Sequence, residues 1–430
     1  MSDKYTSEPI VNVGILHAPI INFVLEGIYT VNGKEVTGLQ TVAQTPDGRA
    51  EWQGEEFDTL EFKAASAECT FELKDVVIGV NFHWERKEDQ RFKGDLGFLL
   101  EDGLWAVNMV PVEDYLASVI SSEMSAKASL ELLKAHAVIS RSWLLAQIEK
   151  QDKPRPVFTE TEQERIRWYD REDHVKFHVC ADDHCQRYQG ITRQTTPIVV
   201  EAIEATRGLV LTDRDGALCD ARFSKSCGGV FEEFENCWEP THFHYLEALR
   251  DTENEHDFPD LKIEANAREW ILGRPDAFCN TDDADILAQV LNDYDQETRD
   301  FYRWTVKYSQ DELSELVKNR SGIDFGKIEA LEPVERGTSG RLVRLRIRGS
   351  KRTMVLGKEL EIRRTLSTSH LYSSAFVAER DGDSFILKGA GWGHGVGLCQ
   401  IGAAVMGARG YKFNSILFHY YPNSSLTKIY

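Results

Sequence analysis

The order of strand-like and helix-like segments is the feature that most constrains the fold of this chain. Between residues 10 and 108, short apolar stretches alternate with turn signals, among them Asn32-Gly33 and Asp47-Gly48. The clearest case is Leu96–Val107, where two apolar stretches meet at Asp102-Gly103, a dipeptide that strongly favours a hairpin. We therefore predict that this part of the chain is a run of antiparallel strands.

After residue 108 the pattern becomes typical of helices. A first helix is predicted to open at Pro111, because proline is tolerated in the first helical turn. A second is predicted from Ser129 to Glu149, with apolar residues around most of its circumference, so we expect it to be buried on several sides. Lys134 and Arg141 interrupt that apolar surface about two turns apart and project on the same side.

Strands followed by a mixture of helices and strands predict an α+β fold. We expect a β-rich N-terminal region at residues 1–108, followed at 109–430 by a mixed α/β region with a cleft and with a mixed insertion at about 240–335. Further predicted elements are a helix ending at Gly208 and a strand after it, helices at Asp285–Tyr294 and Gln310–Asn319, strands at Arg303–Tyr308 and Val343–Arg348, and a helix from about Cys399 to Gly410.

Charge excludes two classes of partner. The 430 residues contain 50 Lys and Arg against 70 Asp and Glu, a net charge of −20. A general nucleic-acid binder needs a basic face, and so does a protein held on anionic lipid, so both are disfavoured. No segment is apolar and long enough to predict a membrane span. No signal peptide is visible either, which leaves a cytoplasmic protein or a mature, trimmed chain as alternatives.

Glu123 is the first candidate for chemistry. It lies between the two predicted helices beside apolar Ile120 and Met124, where desolvation would favour the protonated carboxyl that a general acid needs. Lys134 and Arg141 would then hold a polar or anionic substrate close by. The alternative is that Glu123 caps a helix and that both cations are solvated or paired.

A cluster of histidines and cysteines is the second candidate. His174, His178, His184, Cys180 and Cys185 lie within twelve residues, and thiolate and imidazole are the usual zinc ligands. A local disulfide and two reduced, packed cysteines are the alternatives. Cys219 and Cys227 form a second pair that is close in sequence.

Two glycine-containing segments complete the candidates. Ser226-Cys227-Gly228-Gly229 is compatible with an anion-binding or nucleophile loop, or with a structural turn. Gly389–Gln400 contains five glycines in its first nine residues, without the ending of a phosphate loop. Trp392 and His394 at its centre favour a carbohydrate site, where sugar faces stack on aromatic rings; a structural loop with a buried histidine is the alternative.

Taken in this order, the segments resemble the SpoIID/LytB family. The matching pieces are distributed over about residues 92–430: Val110-Pro111-Val112-Glu113-Asp114-Tyr115-Leu116, Glu123-Met124, Leu133–Arg141, Cys180 with His184-Cys185-Gln186 and Tyr188, Ser226–Gly229, Gly389–Ala403 with Gln400, and Tyr420-Tyr421-Pro422. His136 stands where the family often has glutamine.

The resemblance implies lytic cleavage of peptidoglycan glycan strands between N-acetylmuramic acid and N-acetylglucosamine. Glu123 would be the catalytic acid and then the base that closes a 1,6-anhydro ring. We expect substrate contacts from Lys134, Arg141, Ser226, Trp392, His394 and Gln400. Some members bind zinc through one histidine and two cysteines, which implies Cys180 and Cys185 here with His174, His178 or His184; our expected ligand set is His174, Cys180 and Cys185.

Other functions remain open at the level of sequence. Related proteins are described as enhancers of a partner amidase, so a non-catalytic cell-wall module is the main alternative. A cytoplasmic protein with a redeployed site is a third. The implied function predicts a cell-envelope or periplasmic location, for which the N-terminus provides no signal.

Overall fold

A large antiparallel sheet forms the N-terminal part of the computed structural model. The structure describes residues 5–79, 86–125, 127–150, 159–168, 174–182, 185–192, 195–254, 257–290 and 300–430. The predicted hairpin is confirmed, because Leu104 pairs with Leu100 on either side of Asp102-Gly103. The strands are β1 (Ile10–His17), β2 (Ile20–Val31), β3 (Lys34–Gln44), β4 (Ala50–Trp52), β5 (Glu55–Phe57), β6 (Leu60–Ala64), β7 (Thr70–Ile78), β8 (Arg86–Lys93), β9 (Asp95–Leu100) and β10 (Leu104–Pro111).

Aromatic side chains pack together on the buried face of this sheet. Phe62 makes edge contacts with Phe23 and Phe98, at centroid distances of 5.1 and 5.8 Å. All three are buried on alternating positions of their strands, as expected for a sheet with one face against a core.

Two helices follow the last of these strands in the chain, and they pack into the same hydrophobic core as the sheet. The helices are α1 (Val112–Glu123) and α2 (Leu130–Glu149), and the side chain of Ser129 caps α2 by accepting from the Leu132 amide. Most of α2 is buried, as predicted. One continuous hydrophobic core runs from Val11 of the sheet through these helices to Tyr421, so the β-rich region does not have a core of its own.

The middle of the chain winds around α1 and α2 in short elements. The pair β1 and β10 is extended by a short parallel strand near residue 180, which places the histidine–cysteine segment beside the sheet. These elements are β11 (Thr159–Glu160), β12 (Glu164–Ile166), β13 (Val179–Cys180), α3 (Pro197–Ala205), β14 (Leu209–Thr212), β15 (Phe223–Ser224), α4 (Glu264–Leu272) and α5 (Ala284–Val290).

A second hydrophobic core lies between Trp304 and Leu387. It extends well beyond residue 335, where sequence analysis placed the end of the insertion, because its later strands pair back on its earlier ones. Its elements are β16 (Arg303–Ser309), α6 (Gln310–Ser321), β17 (Ile328–Arg336), β18 (Leu342–Gly349), β19 (Thr353–Gly357), α7 (Glu359–Thr365), β20 (Phe376–Asp381) and β21 (Ser384–Ala390).

The C-terminal segment returns to the main core. Its elements are β22 (Leu398–Cys399), α8 (Gln400–Ala408), α9 (Phe413–Tyr420) and β23 (Ser425–Lys428), and β23 pairs with β14. The predicted α+β class is confirmed. Among the described residues, no helix is both long and apolar enough to cross a membrane.

Candidate functional site

Glu123 is the last residue of α1. The helix ends there because Met124 adopts an extended conformation, and the amide of Met124 closes the last turn onto the Ile120 carbonyl at 2.9 Å. The Glu123 side chain is partly buried. The carboxyl therefore lies at the end of the helix that carries the partial negative charge of the helix dipole.

The segment that follows the histidine–cysteine cluster runs along α1 and ends beside Glu123. Tyr115 donates to the side chain of Gln186 at 3.2 Å, and the Gln189 amide donates to Ser118 Oγ at 3.0 Å. Between these two contacts, the backbone amide of Arg187 donates to Glu123 Oε1 at 3.4 Å. This is a long hydrogen bond and therefore a weak one.

The expected zinc ligands lie together. One ligand atom from each of His174, Cys180 and Cys185 falls within 4.8 Å of the others. His178 faces elsewhere, because its Nδ1 accepts from the amide of Asn12 on β1 at 3.0 Å. His184, the other candidate, lies outside the described residues. The donor set of one imidazole and two thiols fits a zinc ion.

An aromatic contact fixes this cluster against the sheet. The Phe177 ring packs 4.6 Å from the His174 ring and 4.9 Å from Trp105 on β10. A Cβ atom on Gly14 would lie 2.6 Å from Phe177, so β1 has glycine where the ring is seated. The cluster and the segment ending at Glu123 therefore have a rigid support.

Arg141 is fully buried and holds α1 against α2. Its Nε and Nη2 donate to the two carboxylate oxygens of Glu113 at 3.0 and 2.6 Å, and its Nη1 donates to the Leu209 carbonyl at 2.9 Å. Tyr430 also donates to Glu113 Oε1, at 2.6 Å. These contacts favour a structural role over the substrate contact that sequence analysis expected for Arg141.

Lys134 lies on the same helix but in a different environment. Its side chain is 18% exposed and pairs with Glu131 at 3.2 Å. The Glu131 carboxylate also accepts from the Phe413 amide at 2.8 Å. The two cations therefore do not form one basic patch.

The two glycine-containing segments are joined. The amide of Ser226 donates to the Trp392 carbonyl at 3.0 Å, and the amide of Trp392 donates to the Ser226 carbonyl at 2.8 Å. The Ser226 hydroxyl is buried and has no hydrogen-bond partner among the described residues, and the same is true of the Ser224 hydroxyl. Trp392 is partly exposed and stacks on Tyr372 at 4.0 Å.

A buried arginine that sequence analysis missed supports this junction. Arg341 donates to the carbonyls of Cys227 and Gly393, at 3.1 and 3.2 Å. Gly395 has a φ of +78°, and a Cβ on it would collide with the Arg341 guanidinium, so glycine is required there. No local motif marks Arg341, because the two carbonyls that it binds lie far away in sequence.

His394 and Gln400 have partners within the protein. His394 Nδ1 accepts from the Val396 amide at 3.0 Å, and its ring packs on Trp238. Desolvation, followed by the charge of Arg222, lowers the pKa of His394 well below its usual value. Gln400 is buried, and its side-chain amide lies 3.2 Å from His136 Nε2.

Helix α5 connects these parts with the Glu123 loop. The Gln289 carbonyl accepts from the Ser125 amide at 3.0 Å, and the Gln289 side chain accepts from the Ser129 amide at 3.1 Å. The next carbonyl, of Val290, accepts from the Lys225 ammonium group. Ser125, two residues after Glu123, and Lys225, next to Ser226, are thus held by neighbouring groups at one end of α5.

The matches to known families fall on these segments. Residues 101–212, from the β9–β10 hairpin to β14, match the family described as Stage II sporulation protein, SpoIID. This match supports assignment of the segment to the SpoIID/LytB family. The segment contains Glu123 and the histidine–cysteine cluster. Residues 232–397, which include the second core, match a domain family of unknown function, DUF8618.

Similarity to individual known proteins covers about three quarters of the chain. The chain is 26% identical over 325 residues to the amidase enhancer of Bacillus subtilis (strain 168), and the matched region is 73% of this chain and 40% of that protein. It is 22% identical to stage II sporulation protein D of Bacillus amyloliquefaciens, over 75% of this chain and 76% of that protein. An uncharacterized protein of Brachyspira hyodysenteriae is 25% identical over 336 residues. The chain spans less than half the length of the amidase enhancer.

Proposed function

We propose that this protein is a lytic transglycosylase that cleaves peptidoglycan glycan strands. The observation that carries the proposal is the place of Glu123. It is a partly buried carboxyl at the end of α1 that accepts a long hydrogen bond from the Arg187 amide, and Ser125, two residues later, is linked through α5 to Lys225, the neighbour of Ser226. The similarity to proteins named for sporulation and for amidase enhancement supports a role in the cell wall.

The proposed reaction needs one carboxyl group. Glu123 protonates the oxygen that links N-acetylmuramic acid to the next sugar, and the bond from C1 to that oxygen breaks. The resulting Glu123 carboxylate takes the proton from the 6-hydroxyl of the same muramic acid, whose oxygen bonds to C1 and closes the 1,6-anhydro ring. No water is consumed, so the second carboxylate of ordinary glycoside hydrolysis is not required.

The remaining expected residues take different parts in this proposal. Trp392, partly exposed and beside Tyr372, is the candidate for stacking on a sugar face. Ser226, His394 and Gln400 would shape the junction that carries Trp392 rather than touch the glycan, because Ser226 and Gln400 are buried and His394 Nδ1 accepts from the Val396 amide. Lys134 would contact substrate only if it left Glu131.

A zinc ion at His174, Cys180 and Cys185 would support the site from outside. When bound, it would cross-link the segment whose continuation supplies Arg187. Within this protein, the segment from Cys185 to Gln189 holds the end of α1 and orients the Glu123 carboxyl. We assign the ion no step in the reaction.

A non-catalytic enhancer of a cell-wall amidase is the second candidate, favoured by the similarity to the amidase enhancer. Glycan stripped of peptide would be incubated with the wild type, with Glu123→Gln and with Asp114→Asn, which alters an exposed carboxylate on the same helix. Anhydro products from the wild type and Asp114→Asn, but not from Glu123→Gln, support cleavage. Binding without products, together with faster peptide release by an added amidase, supports the enhancer.

A further inference from the structure

Four buried side chains meet away from Glu123 in a group that the proposed reaction does not use. Cys227, Asp251, Cys279 and Cys399 are each 2% exposed or less. One ligand atom from each lies within 4.8 Å of the others. Cys227 Sγ lies 3.5 Å from Cys279 Sγ and 3.4 Å from Asp251 Oδ2.

We propose that these four side chains form a second metal site, which binds one zinc ion through three thiolates and one carboxylate. Tetrahedral zinc with bonds of about 2.3 Å to sulfur and about 2.0 Å to oxygen places sulfurs ~3.8 Å apart and sulfur ~3.5 Å from oxygen. The spacings of 3.5 and 3.4 Å are close to those values. Three soft sulfur donors favour zinc over magnesium or calcium.

The surrounding contacts orient the donor atoms. Tyr420 donates to Asp251 Oδ1 at 3.0 Å, and His419 Nε2 lies 3.3 Å from the same oxygen, so Oδ2 is the oxygen that faces the sulfurs. The Cys227 amide donates to Cys399 Sγ at 3.3 Å. Such outer contacts fix ligand geometry at metal sites.

The neighbouring helix makes room for the carboxylate. A Cβ on Gly402 of α8 would lie 2.7 Å from Asp251 Oδ2 and would also collide with the Tyr420 hydroxyl. Four ligands and no exposed position indicate a closed site, which is typical of structural rather than catalytic zinc.

The site would join distant parts of the chain. Cys227 follows β15, Cys399 ends β22, and Cys279 lies shortly before α5. Helix α5 carries the Gln289 carbonyl that holds Ser125, next to the Glu123 loop. The ion would therefore fix α5 in place, whether or not the protein cleaves glycan.

The competing arrangement is a disulfide. Cys227 and Cys279 are free thiols in the structure. A disulfide between them would need their sulfurs at about 2.05 Å and would leave Cys399 as a lone thiol beside a buried carboxylate. Asp251 accepts from Tyr420 and from the Cys279 amide in either arrangement, but only a zinc ion on Oδ2 would also engage Cys399 together with the other two thiols.

Metal analysis of the full-length chain tests the proposal. The protein is prepared in zinc-supplemented medium without chelator, as a Cys180→Ser/Cys185→Ser variant that removes the other cluster. We expect about one zinc ion per chain in this variant, and nearly none when Cys279→Ser is added. Cys219→Ser, which removes a buried thiol outside the site, should retain the ion.

Cobalt substitution covers the case in which Cys279→Ser fails to fold. Cobalt bound to the folded Cys180→Ser/Cys185→Ser variant should give intense sulfur-to-cobalt charge-transfer bands and the visible bands of a tetrahedral site. A zinc content near zero, in protein whose remaining cysteines can all be alkylated and are therefore free thiols, would overturn the proposal. So would a Cys227–Cys279 disulfide detected by peptide mass spectrometry.

Discussion

The backbone amide of Arg187 donates to the Glu123 carboxylate, and this bond joins two motifs of the family. Arg187 lies two residues after Cys185, a candidate zinc ligand, and Glu123 ends α1. The candidate zinc cluster is therefore connected to the proposed catalytic acid by two residues of chain and one hydrogen bond.

Loss of the candidate zinc cluster should make the segment that contacts Glu123 less well held. Cys185→Ser is expected to remove the ion from this cluster and to speed hydrogen exchange at the Arg187 amide, because the segment that presents this amide would lose its anchor. Exchange measured by mass spectrometry on the peptide containing residues 185–189 checks this, with Cys219→Ser as control. Zinc loss without faster exchange would contradict it.

Arg141 and Lys134 should respond differently to replacement. Arg141→Met leaves the Glu113 carboxylate buried without its cation, which is expected to cost about 3–5 kcal/mol of unfolding free energy. Lys134→Met removes a partly exposed pair and is expected to cost less than about 1 kcal/mol. Urea unfolding measures both. A normally stable Arg141→Met that only lost glycan binding would instead support a substrate role for Arg141.

His136 should make the fold sensitive to acid. Desolvation, followed by the charge of Lys225, lowers the pKa of His136 to about 3 in the folded protein. The unfolded chain, with a histidine pKa of about 6.5, binds the proton first, so stability falls as pH drops below about 6.5. The contribution is about 2 kcal/mol at a pH of about 5.

The replacement His136→Gln isolates this effect, because glutamine does not titrate and the other histidines are the same in both proteins. Urea unfolding at a pH of about 7 and of about 5 should show a smaller acid-induced loss for His136→Gln than for the wild type. Equal losses would show that His136 is not the group responsible.

Trp392 should contribute to glycan binding and not to proton transfer. Trp392→Ala is expected to raise the KM for glycan about tenfold, since loss of aromatic stacking is worth about 1.4 kcal/mol, while Trp392→Phe should retain part of the affinity. Steady-state kinetics with a soluble glycan oligomer check this. An unchanged KM in a folded Trp392→Ala protein would exclude the stacking role.

Local signals in the sequence predicted local structure well. The hairpin at Asp102-Gly103 needs only adjacent residues, and the caps and apolar surface of α2 are contained within the helix. The cluster of His174, Cys180 and Cys185 was also visible, because its ligands are close in sequence. The expected set named His174, but His178 and His184 stayed open as alternatives, because the contact that engages His178 comes from β1 and is not visible in the sequence.

Contacts between residues that are distant in sequence could not be predicted from the sequence. Arg141 was grouped with Lys134 because they share a helix side, but its partner Glu113 lies on the preceding helix. Cys227 was paired with Cys219 by proximity, whereas the fold brings it to Cys279 and Cys399. The insertion was expected to end at about residue 335 for the same reason, since β21 pairs with β16, which precedes it by a long stretch of chain, and β20 pairs with β21.

The central claim is that Glu123 is the acid and base of glycan cleavage. Its most direct test is product analysis by mass spectrometry after incubation of peptide-free peptidoglycan strands with the wild type and with folded Glu123→Gln. We predict 1,6-anhydro-muramic acid ends from the wild type and none above background from Glu123→Gln. Equal amounts of anhydro product from both proteins would contradict the account.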